Sequence, residues 1–303
     1  MTFRSGFACF VGRPNAGKST LTNALVGQKV AITSGRPQTT RHTVRGIVHR
    51  DDAQLVLVDT PGLHRPRTLL GERLNTLVRD TLTEVDVVGF CLPSDQKVGP
   101  GDRYIAEQLS ELSQGPGRTP VVAIATKADL VGKQRLAEHL LGISQLGDWA
   151  DIVPVSAESG YQVDVLEKVL VGHLPEGPAL YPEGELTDEP VAVMVAELVR
   201  EAALEGVRDE LPHSLAVVVD EMLPREGSTE ERPMLDVRVN LFVERDSQKA
   251  IIIGKGGSRL REVGTQARQG IEALLGTRVF LDLHVKVAKD WQRDPKQLGR
   301  LGF

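Results

Sequence analysis

The octapeptide Gly12-Arg13-Pro14-Asn15-Ala16-Gly17-Lys18-Ser19 matches the pattern G-x-x-x-x-G-K-[ST] in full. It follows the apolar, strand-like run Gly6–Val11 and opens the helical stretch Lys18–Val26, the context in which this pattern has a mechanism. Its glycines let backbone N–H groups curl around phosphate oxygens, and the helix N-terminus adds a favourable dipole. Gly12, Arg13, Pro14, Asn15, Ala16 and Gly17 would form the cradle, with Thr20 just beyond it. Lys18 would reach the outer phosphates, and Ser19 would ligate Mg²⁺.

Four further elements point from a generic phosphate loop to GTP. Asp59-Thr60-Pro61-Gly62 follows the strand-like Gln54–Val58. An aspartate there can hold Mg²⁺ through water, and the Gly62 N–H can face the γ-phosphate. Pro37-Gln38-Thr39-Thr40-Arg41 lies in the polar stretch after the first helix, where Thr40 can close over Mg²⁺ and the γ-phosphate. Thr126-Lys127-Ala128-Asp129 follows the run Val121–Thr126. A carboxylate at Asp129 can accept from both the N1–H and the 2-amino group of guanine, and adenine offers neither donor. Ser156-Ala157-Glu158 follows Asp151–Val155, where backbone N–H groups of Ser156 and Ala157 would reach the guanine carbonyl. The catalytic candidates are Lys18, Thr40, Gly62 and Asn15, and the metal candidates are Ser19, Thr40 and Asp59.

A second glycine loop lies near the other end of the chain. Gly254-Lys255-Gly256-Gly257 is a G-x-x-G turn between the helical stretches Gln248–Ile253 and Ser258–Leu275. Glycines there leave room for a sugar-phosphate strand against helix N-terminal N–H groups. From Arg245 to Arg268, six basic residues (Arg245, Lys249, Lys255, Arg259, Arg261, Arg268) stand against Asp246 and Glu262. In a chain of net charge −5, that basic surface is local. Gly254, Lys255, Gly256, Gly257, Arg259 and Arg261 are the RNA-contact candidates.

The elements that must position these residues fall into two rhythms. Up to about residue 173, short apolar runs (those above, with Val44–Val48 and Val85–Leu92) alternate with helical stretches Leu69–Leu82, Asp102–Leu112, Lys133–Leu146 and Val163–His173. Alternation of this kind predicts a mostly parallel sheet with helices on both faces. Only the Asp51-Asp52-Ala53 turn is too short for a crossover, so the strands beside it should be antiparallel. Residues 174–190 are rich in Pro, Gly and acid and read as an interdomain linker. From 191 the order is helix, strand, strand, helix, glycine turn, helix, strand, an α+β pattern, with Asp188 expected to cap the helix Val191–Leu204. The domains expected are thus 1–173 and 191–303.

Composition excludes other classes. Of 303 residues, 41% are hydrophobic and 25% charged, ordinary for a globular protein rather than a disordered tail or rod. No apolar run approaches a membrane span, and Met1–Gly12 lacks the features of a secretory signal. Cys9 and Cys91 lie in apolar runs and read as buried thiols in a reducing compartment.

The first region resembles the translation-factor-related GTPases of the TrmE-Era-EngA-YihA-Septin-like group, through Gly12–Ser19, Thr39-Thr40-Arg41, Asp59–Gly62 and the base-reading loop. Thr126 departs from that group, which carries asparagine there. Loss of the amide is expected to remove a brace on the phosphate loop and to weaken nucleotide binding, with guanine specificity retained. Ras-like proteins orient the attacking water with a glutamine after the switch glycine, but here Leu63 and His64 follow Gly62. The resemblance is to the subgroup with a hydrophobic residue at this place, in which a K⁺ ion held partly by an asparagine at the position of Asn15 supplies charge. The alternative for Asn15 is a turn residue.

The second region resembles a type II KH domain. Together, a P-loop GTPase domain followed by such a domain resembles the Era family of bacterial ribosome-assembly GTPases over nearly the whole chain. The resemblance implies a GTP/GDP switch using Mg²⁺, and binding to the 3′ end of 16S rRNA in 30S subunit maturation. It also implies a cytoplasmic location with peripheral association at the inner face of the cell membrane. A monomer is expected. The competing reading is an RNA-binding module with a degenerate nucleotide site, Thr126 marking its decay; retention of Lys18, Ser19, Asp59 and Asp129 favours the enzyme.

Overall fold

The structure is a computed structural model that describes residues 2–33, 44–63, 68–112, 118–205, 214–229 and 232–302. The chain divides into two compact units, one holding most of the chain up to Asp188 and the other built mainly from Glu189 onward. Thr40 and His64 lie outside the described residues, as does the rest of the stretch Pro37–Arg41.

The first unit is a six-stranded sheet in the order β2-β3-β1-β4-β5-β6. Its strands are β1 (Arg4–Val11), β2 (Val44–His49), β3 (Ala53–Asp59), β4 (Val87–Pro93), β5 (Val121–Thr126) and β6 (Asp151–Pro154). The helices are α1 (Lys18–Val26), α2 (Leu69–Glu84), α3 (Pro100–Leu112), α4 (Lys133–Ser144) and α5 (Val163–Gly172). Only β2 runs antiparallel to its neighbour, as the short turn before Ala53 requires.

Period-two alternation assigns each strand residue to one of two cores. Ala8 and Phe10 of β1 join Leu55 and Leu57 of β3 and Leu21, Leu166 and Leu170 from α1 and α5. Cys9 and Val11 join Val58, Phe90, Val78, Ile105 and Ile143 on the other face, beneath α2, α3 and α4. Burial on both faces explains why the strands read as continuous apolar runs. Strand order reverses about β1, so the loop after Val11 opens at a topological switch point, where ligands bind such sheets.

Residues 174–188 are not a free linker but a strap on this unit. The Ser5 N–H donates to Pro175 O at 3.1 Å and the Ile47 N–H to Leu186 O at 2.9 Å. Gln54, almost wholly buried, accepts from the Leu180 N–H (2.6 Å) and the Tyr181 N–H (2.9 Å) and donates to Tyr181 O (2.9 Å). Asp188 pairs with Arg45 at 3.0 Å and accepts from the Tyr181 hydroxyl at 2.8 Å. It therefore does not cap the following helix, whose N-cap is Pro190 with no side-chain cap.

The second unit contains α6 (Val191–Leu204), β7 (Ala216–Pro224), β8 (Met234–Val243), α7 (Asp246–Ile253), α8 (Ser258–Leu275), β9 (Arg278–Val287) and α9 (Pro295–Arg300). β8 is central, antiparallel to β7 and parallel to β9. Val237, Val239, Leu241 and Val243 of β8 face a core built with Val195 and Val199 of α6 and Val263, Ala267 and Ile271 of α8. One face is thus covered by helices, which gives the alternating pattern of an α+β sheet. The sequence reading missed the closing turn, where Trp291 is fully buried and donates its indole N–H to Ser214 O at 2.9 Å.

Candidate functional site

The loop between β1 and α1 is a tight cradle. Gly17 caps α1 in the left-handed region, with φ 90° and ψ 14°, where a side chain would be strained. At Gly12 an added Cβ would lie 2.7 Å from the carbonyl oxygen of Cys91, so the loop can lie on β4 only without a side chain. Asn15, at the exposed apex, also adopts positive φ, 61°.

Lys18 is 7% exposed and turns back over the loop. Its ammonium donates to Arg13 O at 3.2 Å and lies 3.4 Å from Gly12 O. Burial pushes its pKa below the usual lysine range, and the Asp59 carboxylate pulls it back up. A desolvated cation ringed by loop carbonyls gains from an incoming polyanion.

The Ser19 hydroxyl donates to Asp59 Oδ2 at 2.7 Å, joining the start of α1 to the end of β3. A hydroxyl and a carboxylate are hard oxygen donors of the kind Mg²⁺ takes, so the pair fits that ion. The neighbouring Thr60 hydroxyl donates to Phe10 O at 2.7 Å and fixes this corner to β1. Gly62 lies against the phosphate loop, because an added Cβ would come 2.9 Å from Pro14 N. Leu63 donates its N–H to Gly12 O at 3.3 Å and buries its side chain in the apolar core. It cannot orient a water.

A cavity of about 220 Å³ opens beside the cradle. Its walls come from Gly17, Thr20 and Leu21 on one side, Thr126, Lys127, Asp129 and Leu130 on another, and Val155–Glu158 on the third. Thr126, Lys127, Asp129 and the Ser156-Ala157-Glu158 element, expected at the base, share this cavity; Leu130 also lines it and was not among the expected residues. The sequence offered only an apolar side chain directly after Asp129, and the structure leaves that side chain 60% exposed. Lys127 holds positive φ (56°) and pairs with Asp95 at 3.7 Å, and Asp129 is exposed at the cavity wall.

Two expectations need correction here. Thr126 does brace the phosphate loop: its buried hydroxyl donates to Ala16 O at 2.7 Å. A short side chain suffices because Gly17 lies against it, with an added Cβ only 3.7 Å from Thr126 Cβ. The Ser156 N–H is already committed to Tyr161 O at 3.0 Å, and the Ser156 hydroxyl accepts from the Ser159 N–H at 3.1 Å. Ser156 therefore shapes the loop, and Ala157 lines the cavity beside it.

Both cysteines are fully buried in the sheet. Burial raises both thiols, Cys91 to about 12, so neither is a nucleophile at neutral pH.

In the second unit the glycine turn is open. Gly254, Gly256 and Gly257 have φ of 73°, 58° and 76°, and Gly257 caps α8. Gly254 is packed, since an added Cβ would lie 2.6 Å from Arg259 Cβ, but Gly256 and Gly257 have nothing within 4 Å. Lys255 and Gly256 are exposed. Arg261 reaches Gly256 O at 3.5 Å. Arg259 pairs with Glu262 at 2.9 Å and donates to Glu205 O, so its guanidinium is already engaged by protein. Lys255 and Arg261 are the better-placed cations of the predicted set.

Comparisons with known proteins agree with this division. Residues 7–127 match the family described as 50S ribosome-binding GTPase, and residues 210–292 match the KH domain. GTPase Era of Streptomyces coelicolor is 71% identical, covering 99% of this chain and 95% of that one. GTPase Era of Mycolicibacterium smegmatis is 68% identical, covering 99% of each. The crystal structure of Era in complex with MgGDPNP and nucleotides 1506–1542 of 16S ribosomal RNA superposes with a TM-score of 0.91 at 37% identity, covering 99% of both chains. A Tyr-to-Ala variant of Aquifex aeolicus Era bound to GDP and aluminium fluoride gives 0.92 at 36% identity, with the same coverage. With a phosphate cradle, a base cavity and a KH turn all in one chain of this likeness, the protein belongs to the GTPase Era family.

Proposed function

We propose that this chain is a GTP-hydrolysing switch whose first unit holds GTP or GDP and whose second unit engages the 3′-terminal segment of 16S rRNA during 30S subunit maturation. The observation that carries the reading is the cavity walled jointly by the phosphate loop, Thr126–Leu130 and Val155–Glu158. Asp129 and Ala157 both line it, which supports a reading in which Asp129 accepts from the two guanine donors and the Ala157 N–H meets the guanine carbonyl. The family likeness supports the RNA half, because one relative was solved with MgGDPNP and a 16S rRNA segment.

The division of labour follows the sequence-derived domains, 1–173 for nucleotide and 191–303 for RNA, with 174–190 between them. Gly12–Ser19 with Thr20 binds the phosphates, and Lys18 neutralises their charge. Mg²⁺, held by Ser19 and Asp59 with Thr40, stabilises charge on the β- and γ-phosphates when bound. Gly62 offers its N–H to the γ-phosphate, Asp129 selects guanine, and Gly254–Gly257 with Lys255, Arg259 and Arg261 forms the RNA surface. Asn15 helps hold a K⁺ ion that supplies charge near the phosphates, while Leu63 cannot orient the attacking water. The protein acts as a cytoplasmic monomer that associates peripherally with the inner membrane face. Among the described residues no helix is long and apolar enough to cross a membrane.

The test is GTP turnover in K⁺ and Na⁺ buffers, with and without a short RNA of the 16S 3′-terminal sequence. Turnover that needs Mg²⁺, faster in K⁺, with saturable RNA binding, is the expected result. RNA binding without turnover would replace this reading with the nucleotide-degenerate one. Vesicle flotation and sedimentation check the membrane and oligomer assignments.

A further inference from the structure

We infer that Asp102 is a positioning residue for nucleotide binding, acting on the phosphate loop through Arg13. This rests on the nucleotide reading above and adds a residue outside every guanine-nucleotide motif in the chain. Asp102 lies in the first turn of α3, and its side chain is only 1% exposed. One carboxylate oxygen accepts from Arg13 Nε at 2.7 Å, and the other accepts from the Gly99 N–H at 2.8 Å. The Arg13 stem lies across Gly101, where an added Cβ would meet Arg13 Cδ at 2.8 Å. The Arg13 side chain is thus turned onto α3, and its part in the cradle is played by its backbone.

That backbone matters because the Arg13 carbonyl accepts from the Lys18 ammonium at 3.2 Å and from the Ala16 N–H at 3.2 Å. The chain of contacts runs from Asp102 to the Arg13 side chain, through the Arg13 carbonyl, to the cation that meets the phosphates. A buried carboxylate deprived of its cation is strongly unfavourable, so Asp102 keeps Arg13 in place rather than merely touching it. Held there, the loop keeps its receiving shape before any anion arrives, and less ordering remains to be done on binding.

The experiment is a double-mutant cycle in the full-length chain: Arg13→Ala, Asp102→Ala and both together. The readouts are the Kd for fluorescent GDP, kcat and KM for GTP, and RNA affinity. Each single substitution is expected to weaken GDP about ten-fold, within the range for coupled contacting residues. The double variant should be no weaker than Arg13→Ala alone, with KM rising more than kcat falls and RNA affinity unchanged. Asp102→Asn keeps an acceptor for the Gly99 N–H but loses the charge. It should weaken GDP while leaving the melting temperature of the nucleotide-free protein near that of the unaltered chain. Additive losses in the cycle, or unchanged GDP affinity in Asp102→Asn, would reduce Asp102 to a helix cap and overturn the inference alone. Failure of the unaltered chain to bind GDP would overturn the nucleotide reading and this inference with it.

Discussion

The two glycine loops of this chain use the same local device and surround it differently. Each opens a helix behind a glycine in the left-handed region, Gly17 before α1 and Gly257 before α8. The first is gripped from every side: Thr126 on Ala16, Asp102 on Arg13, Lys18 on its carbonyls and Gly62 on Pro14. The second leaves Gly256 and Gly257 facing open space. A compact polyphosphate rewards a closed, preorganised cradle, because its charge is concentrated and its shape constant. A polynucleotide must pass along the loop and continue at both ends, which a closed cradle forbids.

The sharpest way to break this contrast is to remove the charge at the centre of the first loop. Lys18→Ala should weaken GTP by about 3 kcal/mol or more, the scale for losing one partner of a buried charge pair. Titration with GTP checks it, with RNA affinity unchanged; retained GTP affinity would show that Lys18 does not face phosphate. The matching change in the open loop is Lys255→Asp with Gly256→Asp. Gly256 has free space, and aspartate tolerates positive φ better than most residues, so the fold should survive. RNA binding should fall by about 2–3 kcal/mol from like-charge repulsion while GTP binding stays put, as read by fluorescence anisotropy.

Base selection offers a subtler probe. Asp129→Asn should cost GTP about 3 kcal/mol and improve binding of XTP, whose 2-carbonyl suits an amide donor. Parallel titrations decide it, and equal GTP affinity would remove Asp129 from the base cavity. A smaller effect is expected at the brace. Thr126→Val keeps the shape but leaves Ala16 O without its hydroxyl donor, for a loss of about 1 kcal/mol in GDP affinity. Salt sharpens the comparison last: RNA affinity should fall steeply as salt rises, whereas the enclosed nucleotide site should respond less.

Much of the molecule was legible one segment at a time. Helices Lys18–Val26, Val191–Leu204 and Ser258–Leu275 and the strand Val121–Thr126 begin and end where periodicity and glycine punctuation place them. The antiparallel β2–β3 pair followed from the length of one turn. Less legible were ends governed by distant partners. Asp188 looked like a helix cap from its neighbours in sequence, yet Arg45 and Tyr181 claim it.

By itself the sequence determined which elements form, the order of the nucleotide motifs at successive strand ends, and the presence of two glycine turns. These depend on local spacing, on the absence of a Cβ and on side-chain period, all written within a few residues. Only the tertiary structure decided who holds the loops. The Arg13–Asp102 contact joins positions 89 apart and the Thr126–Ala16 contact positions 110 apart. Gln54 meets the strap at Leu180 and Tyr181, 126 and 127 positions on. No local pattern encodes such pairings. They arise because closing the sheet brings strand ends and the first turns of the helices to one edge, where buried polar groups must find partners or remain costly.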